Sequence, residues 1–227
     1  QTRKEAEEMP AERSLPSGDL GALRRVWSDC RRCPLYETRR SLVFGSGCPT
    51  ARIMLVGGAP GEVDDDTGAP FVGPWGNMLG QLFSGAGVKR SDLYITHTVC
   101  CRPPDNRKPN LLEQKACRPR LLEQICTVDP DIILAAGPEA AKLLLGTRSF
   151  SITSDRGVPR SSVMEGREIS YSTTIVPILH PEYLLRNPGM QKHGPIYKTV
   201  QDLYNAQQTV ERLWKLRSQN GQGTTDR

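Results

Sequence analysis

The sequence predicts a three-layer α/β/α sandwich with a central, mainly parallel sheet of four strands. Two observations predict this fold: four short apolar segments have the character of buried strands, and segments with helical spacing of apolar residues separate them. Ligands of such a sheet bind beyond the carboxyl ends of its strands, so we expect the functional residues in the loops that follow them. The strands are predicted at 52–56, 93–96, 132–136 and 175–179.

The segments between the strands have the caps and the periodicity of helices. Asp19 can cap a first helix that runs towards Trp27. Pro177, within the fourth strand, indicates the edge of the sheet or the end of a strand. Further helices are predicted at 76–83, 113–128, 139–145 and 195–216, and the last of them is long and amphipathic.

The length of 227 residues fits one domain, which we expect over 18–216. We predict a disordered arm over residues 1–17 and a disordered tail over residues 217–227. No apolar run reaches transmembrane length and the first residues do not resemble a signal peptide, so we expect a cytoplasmic protein with no membrane partner. A net charge of +5, from 30 Lys and Arg against 25 Asp and Glu, favours a polyanionic partner without proving one.

Seven cysteines in a cytosolic protein predict thiolate chemistry or metal binding more than disulfides. Cys30 and Cys33 form a C-x-x-C step, and Cys101 and Cys117 lie far along the chain. This spacing is compatible with a cluster held by four thiolates. It is equally compatible with a zinc site, or with thiols that bind no metal.

The chain resembles the family 4 uracil-DNA glycosylases, the iron–sulfur type, over roughly residues 22–215. The matching segments occur in the family's order: CRRCPL (30–35), GGAPGEVDDDTGAPFVGPWGNML (57–79), YITHTVCCRPPDNRKP (94–109), ACRP (116–119) and LHPEYLLRNP (179–188). The resemblance implies a monofunctional DNA glycosylase, which hydrolyses the bond between a flipped-out base and its sugar. DNA is then the partner, no soluble organic cofactor is needed, and we expect a monomer.

The resemblance also implies a [4Fe–4S] cluster on Cys30, Cys33, Cys101 and Cys117, which would brace the segment 101–117 against the DNA. The remaining cysteines are expected to be packing residues: Cys48, Cys100 and Cys126.

Catalytic roles follow from the same resemblance. His180 corresponds to the family's catalytic histidine, which stabilises the departing base. Asn106 corresponds to an asparagine that shapes the site, and Asp65 to an acidic position that could order water. Contacts with the DNA backbone are expected from a basic and polar set of residues: Arg107, Arg186, Asn187, Lys192 and His193.

The base itself is expected to meet four residues. Gly58 and Ala59 belong to a glycine-rich turn that lets the backbone approach the nucleotide closely. Phe71 resembles the aromatic residue on which the base stacks. His97 occupies the position of an asparagine that reads the Watson–Crick edge of uracil.

Two of these positions depart from the family pattern, which usually has an acidic residue at Gly58 and asparagine at His97. Both changes favour a pocket opened for a bulky modified pyrimidine, such as glucosylated hydroxymethylcytosine of phage DNA, and hence an antiviral role. One alternative is uracil excision in base-excision repair, with His97 donating to a carbonyl oxygen. Another is a DNA-binding homologue without catalysis, which the presence of Phe71, Asn106 and His180 argues against.

Overall fold

The structure, a computed structural model, describes residues 19–166 and 170–219. The arm expected over 1–17 lies outside these residues, as do residues 220–227 of the expected tail. Residues 217–219, which were predicted to belong to the tail, instead end the last helix, and Arg217 donates to Asp131 Oδ1 at 2.6 Å. The folded domain therefore reaches three residues further than predicted.

In the described part of the chain, six strands form one sheet in the order β1-β3-β2-β4-β6-β5. The inner strands pair in parallel, and the short β1 and the outer β5 pair antiparallel to their neighbours. The strands are β1 (Ser46–Gly47), β2 (Ile53–Gly57), β3 (Leu93–His97), β4 (Ile132–Ala136), β5 (Arg160–Glu165) and β6 (Ser170–Ile178).

The mainly parallel sheet is confirmed, but the prediction of four strands was wrong. Strand β1 has only two residues, which is too short for any pattern, and β5 is largely exposed and polar, so neither has an apolar run. Pro177 does not lie on an edge strand, because β6 lies between β4 and β5. It does lie near the end of a strand, since the pairing with β5 extends only to Ile175.

Helices cover both faces of the sheet, and all five predicted helices are present. The Asp19 side chain caps the first by accepting the N–H of Ala22 at 2.9 Å. No helix in the described residues has the length and apolar character needed to cross a membrane. The helices are α1 (Leu20–Trp27), α2 (Glu62–Thr67), α3 (Gly73–Ala86), α4 (Leu111–Val128), α5 (Pro138–Leu145), α6 (Ile152–Asp155), α7 (Pro181–Arg186) and α8 (Pro195–Gln219).

Two apolar clusters show that the fold has three layers. On one face of the sheet, side chains of α3, α7 and α8 pack against alternate residues of the strands, with Leu55 and Leu203 among them. On the other face, α4 and α5 pack against the intervening residues, with Met54 and Leu121 among them. The sandwich architecture is therefore confirmed. The helices cover the two faces of the sheet, and the loops at the carboxyl ends of its parallel strands are left to form a site.

Candidate active site

The carboxyl ends of the four parallel strands bring the predicted pocket residues together. Strand β2 ends at Gly57, β3 ends at His97, and β6 is followed closely by His180. Strand β4 is followed by Gly137, where a Cβ atom would lie 3.2 Å from the Cβ of His180. Glycine at this position lets His180 pack tightly against the end of the central strands.

His180 is held as a neutral hydrogen-bond donor. It is the N-cap of α7, and its Nδ1 accepts the N–H of Glu182 at 3.2 Å, so the proton of the neutral ring is on Nε2. Burial lowers the pKa of His180 to about 4, and the neighbouring His97 acts in the same direction. At neutral pH the ring can therefore donate from Nε2 to an oxygen that gains negative charge.

Phe71 and His97 form a buried aromatic stack. Their ring centroids are 4.6 Å apart at an interplanar angle of 23°, and both residues have 0% exposed surface. A Cβ at Gly57 would lie 2.5 Å from each ring, so only glycine permits this stack. Because Phe71 has no exposed surface, a nucleobase can stack on it only after at least one neighbouring group shifts.

Phe71 has a left-handed backbone, with a φ of 50°. This conformation costs about 1–2 kcal/mol for a residue with a side chain. Such strain is found where a side chain is directed to a functional position. The ring also lies 5.7 Å from the ring of His180, so the expected stacking residue and the expected catalytic residue are neighbours.

Asp64 determines which ring nitrogen of His97 carries the proton. The carboxylate Oδ2 lies 3.0 Å from His97 Nε2, and Oδ1 accepts the N–H of Val72 at 2.9 Å. Burial opposes ionisation of Asp64, but the hydrogen bond and charge of His97 and the backbone donors lower the pKa of this carboxyl overall. Because an ionised carboxylate only accepts hydrogen bonds, Nε2 of His97 carries the ring proton.

This geometry corrects the expected role of His97 as a donor to a base carbonyl. Burial lowers the pKa of His97, so the ring is neutral and its single N–H is committed to Asp64. Nδ1 is left with a lone pair and has no hydrogen-bond partner among the described residues. His97 is thus prepared to accept a hydrogen bond beside Gly57, not to donate one.

Asp65, expected to order water, has another function in the structure. Its buried carboxylate accepts the backbone N–H of Arg40 at 3.1 Å and of Ser41 at 3.2 Å. These bonds anchor the loop that leads to β1, so a structural role replaces the expected catalytic one.

Gly58 and Ala59 lie in the turn after β2, as expected. The carbonyl of Gly58 accepts a hydrogen bond from the Thr98 hydroxyl, and Ala59 packs against the cluster of cysteines behind the turn. The turn therefore separates the histidine pair from the cysteines.

Asn106 and Arg107 lie on the loop between β3 and α4. Asn106 is exposed and its Oδ1 accepts from Arg102 Nε at 2.7 Å. Arg107 binds the buried carboxylate of Glu113 through both terminal nitrogens, at 2.9 and 2.6 Å. Both side chains stabilise the loop, and no contact joins Asn106 to His180 among the described residues.

The other predicted DNA-binding residues lie on the surface near α7. Arg186 forms an exposed ion pair with Glu182 at 2.6 Å, which is weak enough to be exchanged for a phosphate. Asn187 caps the end of α7, and Lys192 and His193 are exposed before α8. These residues are polar and accessible, and they lie on α7 and on the segment that joins α7 to α8.

The four predicted ligand cysteines line one cavity. All are free thiols, and they lie on separate segments: the loop after α1, the loop after β3, and α4. Among the described residues, no group of His, Cys, Asp or Glu converges as it would on a single metal ion. A fifth cysteine, expected to be a packing residue, also lines this cavity; the set is Cys30, Cys33, Cys100, Cys101 and Cys117.

Two arginines make this cavity suitable for thiolates. Arg39 Nη1 lies 3.3 Å from Cys101 Sγ and also donates to the carbonyl of Cys30 at 2.8 Å. Arg120 Nη2 lies 3.6 Å from Cys117 Sγ. A set of soft sulfur donors next to fixed positive charges has the chemistry that an iron–sulfur cluster requires.

Arg120 is fully buried and joins the cysteine cavity to the end of β3. Its Nη2 donates to the carbonyls of His97 at 2.7 Å and of Thr98 at 3.0 Å, and its Nη1 donates to Thr96 Oγ1 at 3.0 Å. An arginine keeps its charge when buried. One side chain on α4 thus holds the strand end that positions His97.

We expect Arg120→Leu to lower the free energy of unfolding by about 3–5 kcal/mol, because it leaves buried acceptors without a donor. Chemical denaturation measures the effect. The matched control is Arg118→Leu on the same helix, where the guanidinium makes one 3.3 Å bond at the surface. Equal stability of the two variants would contradict the structural role of Arg120.

Three residues of the site were missed by sequence reasoning. Asp64 lies in a run of three aspartates, and nothing in that run distinguishes it from its neighbours. Trp75 packs edge-on against His180 at 5.1 Å, and its only signal is its place in the glycine-rich motif. Arg120 follows Cys117 by one helical turn and precedes two leucines, which is a signal for burial that could have been used.

Comparison with known proteins shows that the chain is similar to uracil-DNA glycosylases. Residues 44–204 match the uracil DNA glycosylase superfamily. The chain is 42% identical over 158 residues to a type-4 uracil-DNA glycosylase of Thermotoga maritima, covering 70% of this chain and 79% of the relative. It is 37% identical over 176 residues to one of Pyrobaculum aerophilum (76% and 88%), and 32% identical over 180 residues to one of Archaeoglobus fulgidus (79% and 90%).

Proposed function

We propose, from the premise that this chain belongs to the type-4 family of the uracil DNA glycosylase superfamily, that it removes a flipped-out pyrimidine from DNA and leaves an abasic site. Membership in this family makes the chain a DNA glycosylase, a hydrolase of N-glycosidic bonds. The observation that carries the proposal is the neutral His180, a donor through Nε2, whose ring lies against the buried ring of Phe71 and the partly buried ring of Trp75.

Hydrolysis needs a donor where the base departs. As the glycosidic bond breaks, its electron pair goes to the base nitrogen, and negative charge spreads to the carbonyl oxygens of the pyrimidine. Nε2–H of His180 can stabilise that charge without any proton transfer, because the ring is already neutral. Water then bonds to C1′ of the sugar, and the departing base takes a proton from the solvent.

Uracil is the base that the site best supports. Its N3–H is a donor, and the unpaired Nδ1 of His97 can accept it once the groups that bury this nitrogen move aside. Cytosine presents a lone pair at N3 and would face that of Nδ1. The curated relatives are named uracil-DNA glycosylases, which agrees with this choice.

The bulky modified pyrimidine that the sequence favoured is the second candidate, and it finds little support. Gly58 does lack a side chain, but a Cβ there would already contact the Cβ of Glu139 at 3.4 Å. His97 is larger than asparagine and completely buried. Gly58 leaves room that a side chain would occupy, whereas His97 takes up more room than asparagine would, so the two departures from the family pattern act in opposite directions.

We also propose a [4Fe–4S] cluster on Cys30, Cys33, Cys101 and Cys117. Such a cluster would tie the loop after α1 and the loop after β3 to α4, and so brace the wall behind the base turn. The arginine contacts at two of these sulfurs support the proposal. A cytoplasmic location, a monomeric state and DNA contacts by the residues near α7 remain predictions.

A panel of oligonucleotides tests the proposed function. Identical strands containing uracil, thymine, cytosine, hydroxymethylcytosine or its glucosylated form are incubated with the protein, and alkali-labile abasic sites are scored. We expect sites at uracil alone. Sites only at the glucosylated base would establish the second candidate instead. Binding to DNA with no abasic sites at any base would show a homologue without catalysis and overturn the proposal.

A further inference from the structure

Glu139 is a carboxylate at the base turn that no role described so far uses. It is the second residue of α5, directly after Pro138, beyond the carboxyl end of β4. A Cβ at Gly58 would lie 3.4 Å from the Cβ of Glu139, so the two positions face each other across the turn. The negative charge of Glu139 also acts on His180, where it opposes the lowering of the pKa by burial.

The other carboxylates near the turn are committed elsewhere. Asp64 binds His97 and the backbone at Val72, and Asp65 binds the backbone of the loop before β1. Asp66 and Glu62 pair with Arg40 and Arg102, but their side chains are 41% and 61% exposed, so both carboxylates lie at the surface.

Glu139 differs from them in its surroundings. Its side chain is 28% exposed, and its partner is the Nζ of Lys108, whose side chain is 78% exposed. An ion pair with so exposed a partner holds a carboxylate weakly. Glu139 is thus partly buried and partly accessible to water, and it is close enough to His180 for its charge to act on that ring.

We infer that Glu139 is the group that positions and deprotonates the attacking water, and that it supplies from α5 the carboxylate that Gly58 lacks. This inference rests on the proposed function. In the step, the water oxygen bonds to C1′ as the C1′–N bond breaks with its electron pair going to the base. One water proton passes to the Glu139 carboxylate and then to the solvent, and the departing base takes a proton from the solvent. Hence water is the only co-reactant.

This arrangement separates two charges. His180 faces the base, which becomes negative, and Glu139 faces the sugar, which becomes cation-like. A neutral donor on one side of the breaking bond and an anion on the other, both preorganised, act mainly in the transition state. Removing the carboxylate should therefore lower the rate of the chemical step and leave DNA affinity almost unchanged.

The experiment compares single-turnover rates at saturating enzyme, using the base that the wild-type protein releases. We expect Glu139→Gln to lower the rate by about 100-fold, within the range typical of general acid–base groups, with a Kd for DNA within about twofold of wild type. Lys108→Met removes the ion pair but keeps the carboxylate, and we expect a rate within about threefold of wild type. In a Glu139→Ala background, adding Gly58→Glu should restore at least about tenfold in rate, since it returns a carboxylate to the same space.

Three results would overturn the inference while the proposed function stands: a Glu139→Gln rate near that of wild type, an equal loss in Lys108→Met, or no rescue by Gly58→Glu. The second would assign Glu139 to the stability of the loop. If the wild-type protein releases no base from any oligonucleotide, the proposed function and this inference fall together.

Discussion

Replacing His180 with alanine is expected to lower the single-turnover rate of base release by about 10²- to 10³-fold, the usual loss when one donor to a developing negative charge is removed. The expected affinity for DNA is unchanged, because His180 donates to the base only as charge develops. The rate is measured on uracil-containing oligonucleotides, and the affinity by fluorescence anisotropy. His180→Asn, which keeps an N–H donor, should lose less.

The same residue predicts how stability depends on pH. The pKa of His180 is about 4 in the folded protein and near 6.5 in the unfolded chain, so the unfolded chain binds a proton first as the pH falls. The contribution of the neutral ring is therefore present above pH 6.5 and is lost between pH 6.5 and 4, by about 3 kcal/mol. The free energy of unfolding, measured over this pH range, should depend less steeply on pH in His180→Asn than in the wild-type protein. A full rate in His180→Ala, or identical pH curves, would show that the ring is not the buried neutral donor.

Loss of a ligand cysteine is the second large effect that we expect. Cys117→Ser should yield colourless protein without iron, and its melting temperature should be lower by about 10 °C, which corresponds to roughly 3–5 kcal/mol in a domain of this size. The physical reason is that the cavity would keep a buried arginine and the three remaining ligand thiols with no common partner. Iron analysis, the visible absorption spectrum and calorimetry measure the result on protein prepared without oxygen.

Cys126→Ser is the matched control, because Cys126 lies on the same helix and outside the cavity. It should keep its iron and its melting temperature. Adjacent Cys100 and Cys101 give a sharper test, since both line the cavity. Cys101→Ala should lose the iron and Cys100→Ala should keep it. The reverse outcome would show that the ligand assignment is wrong, and iron-free wild-type protein would remove the cluster altogether.

The fold was predictable wherever burial was uniform. Strand β4 is apolar at every position and completely buried, so its bounds were predicted correctly. Strand β5 was not, because it buries Ser162 and satisfies its hydroxyl with the carbonyl of Leu144 at 2.7 Å. A polar residue that is buried with a partner leaves no sign in the sequence that it belongs to a sheet.

The site was predictable in its positions but not in its chemistry. The motifs placed Phe71, His97 and His180 together, and the structure brings these rings into contact. The sequence could not show that Asp64 rather than Asp65 faces the pocket. The residue at which the six-residue helix α2 begins determines which of the two aspartates points that way, and the sequence does not fix that residue. That detail reverses the expected role of His97 from donor to acceptor.

The position of Arg120 ties the cysteine cavity to the base pocket through one charge. Its Nη2 lies 3.6 Å from Cys117 Sγ and also donates to the carbonyl of His97 at 2.7 Å. A substitution that removes the thiol of Cys117 therefore changes the surroundings of the guanidinium that holds the end of β3. The two sites are separate, but they share this one side chain.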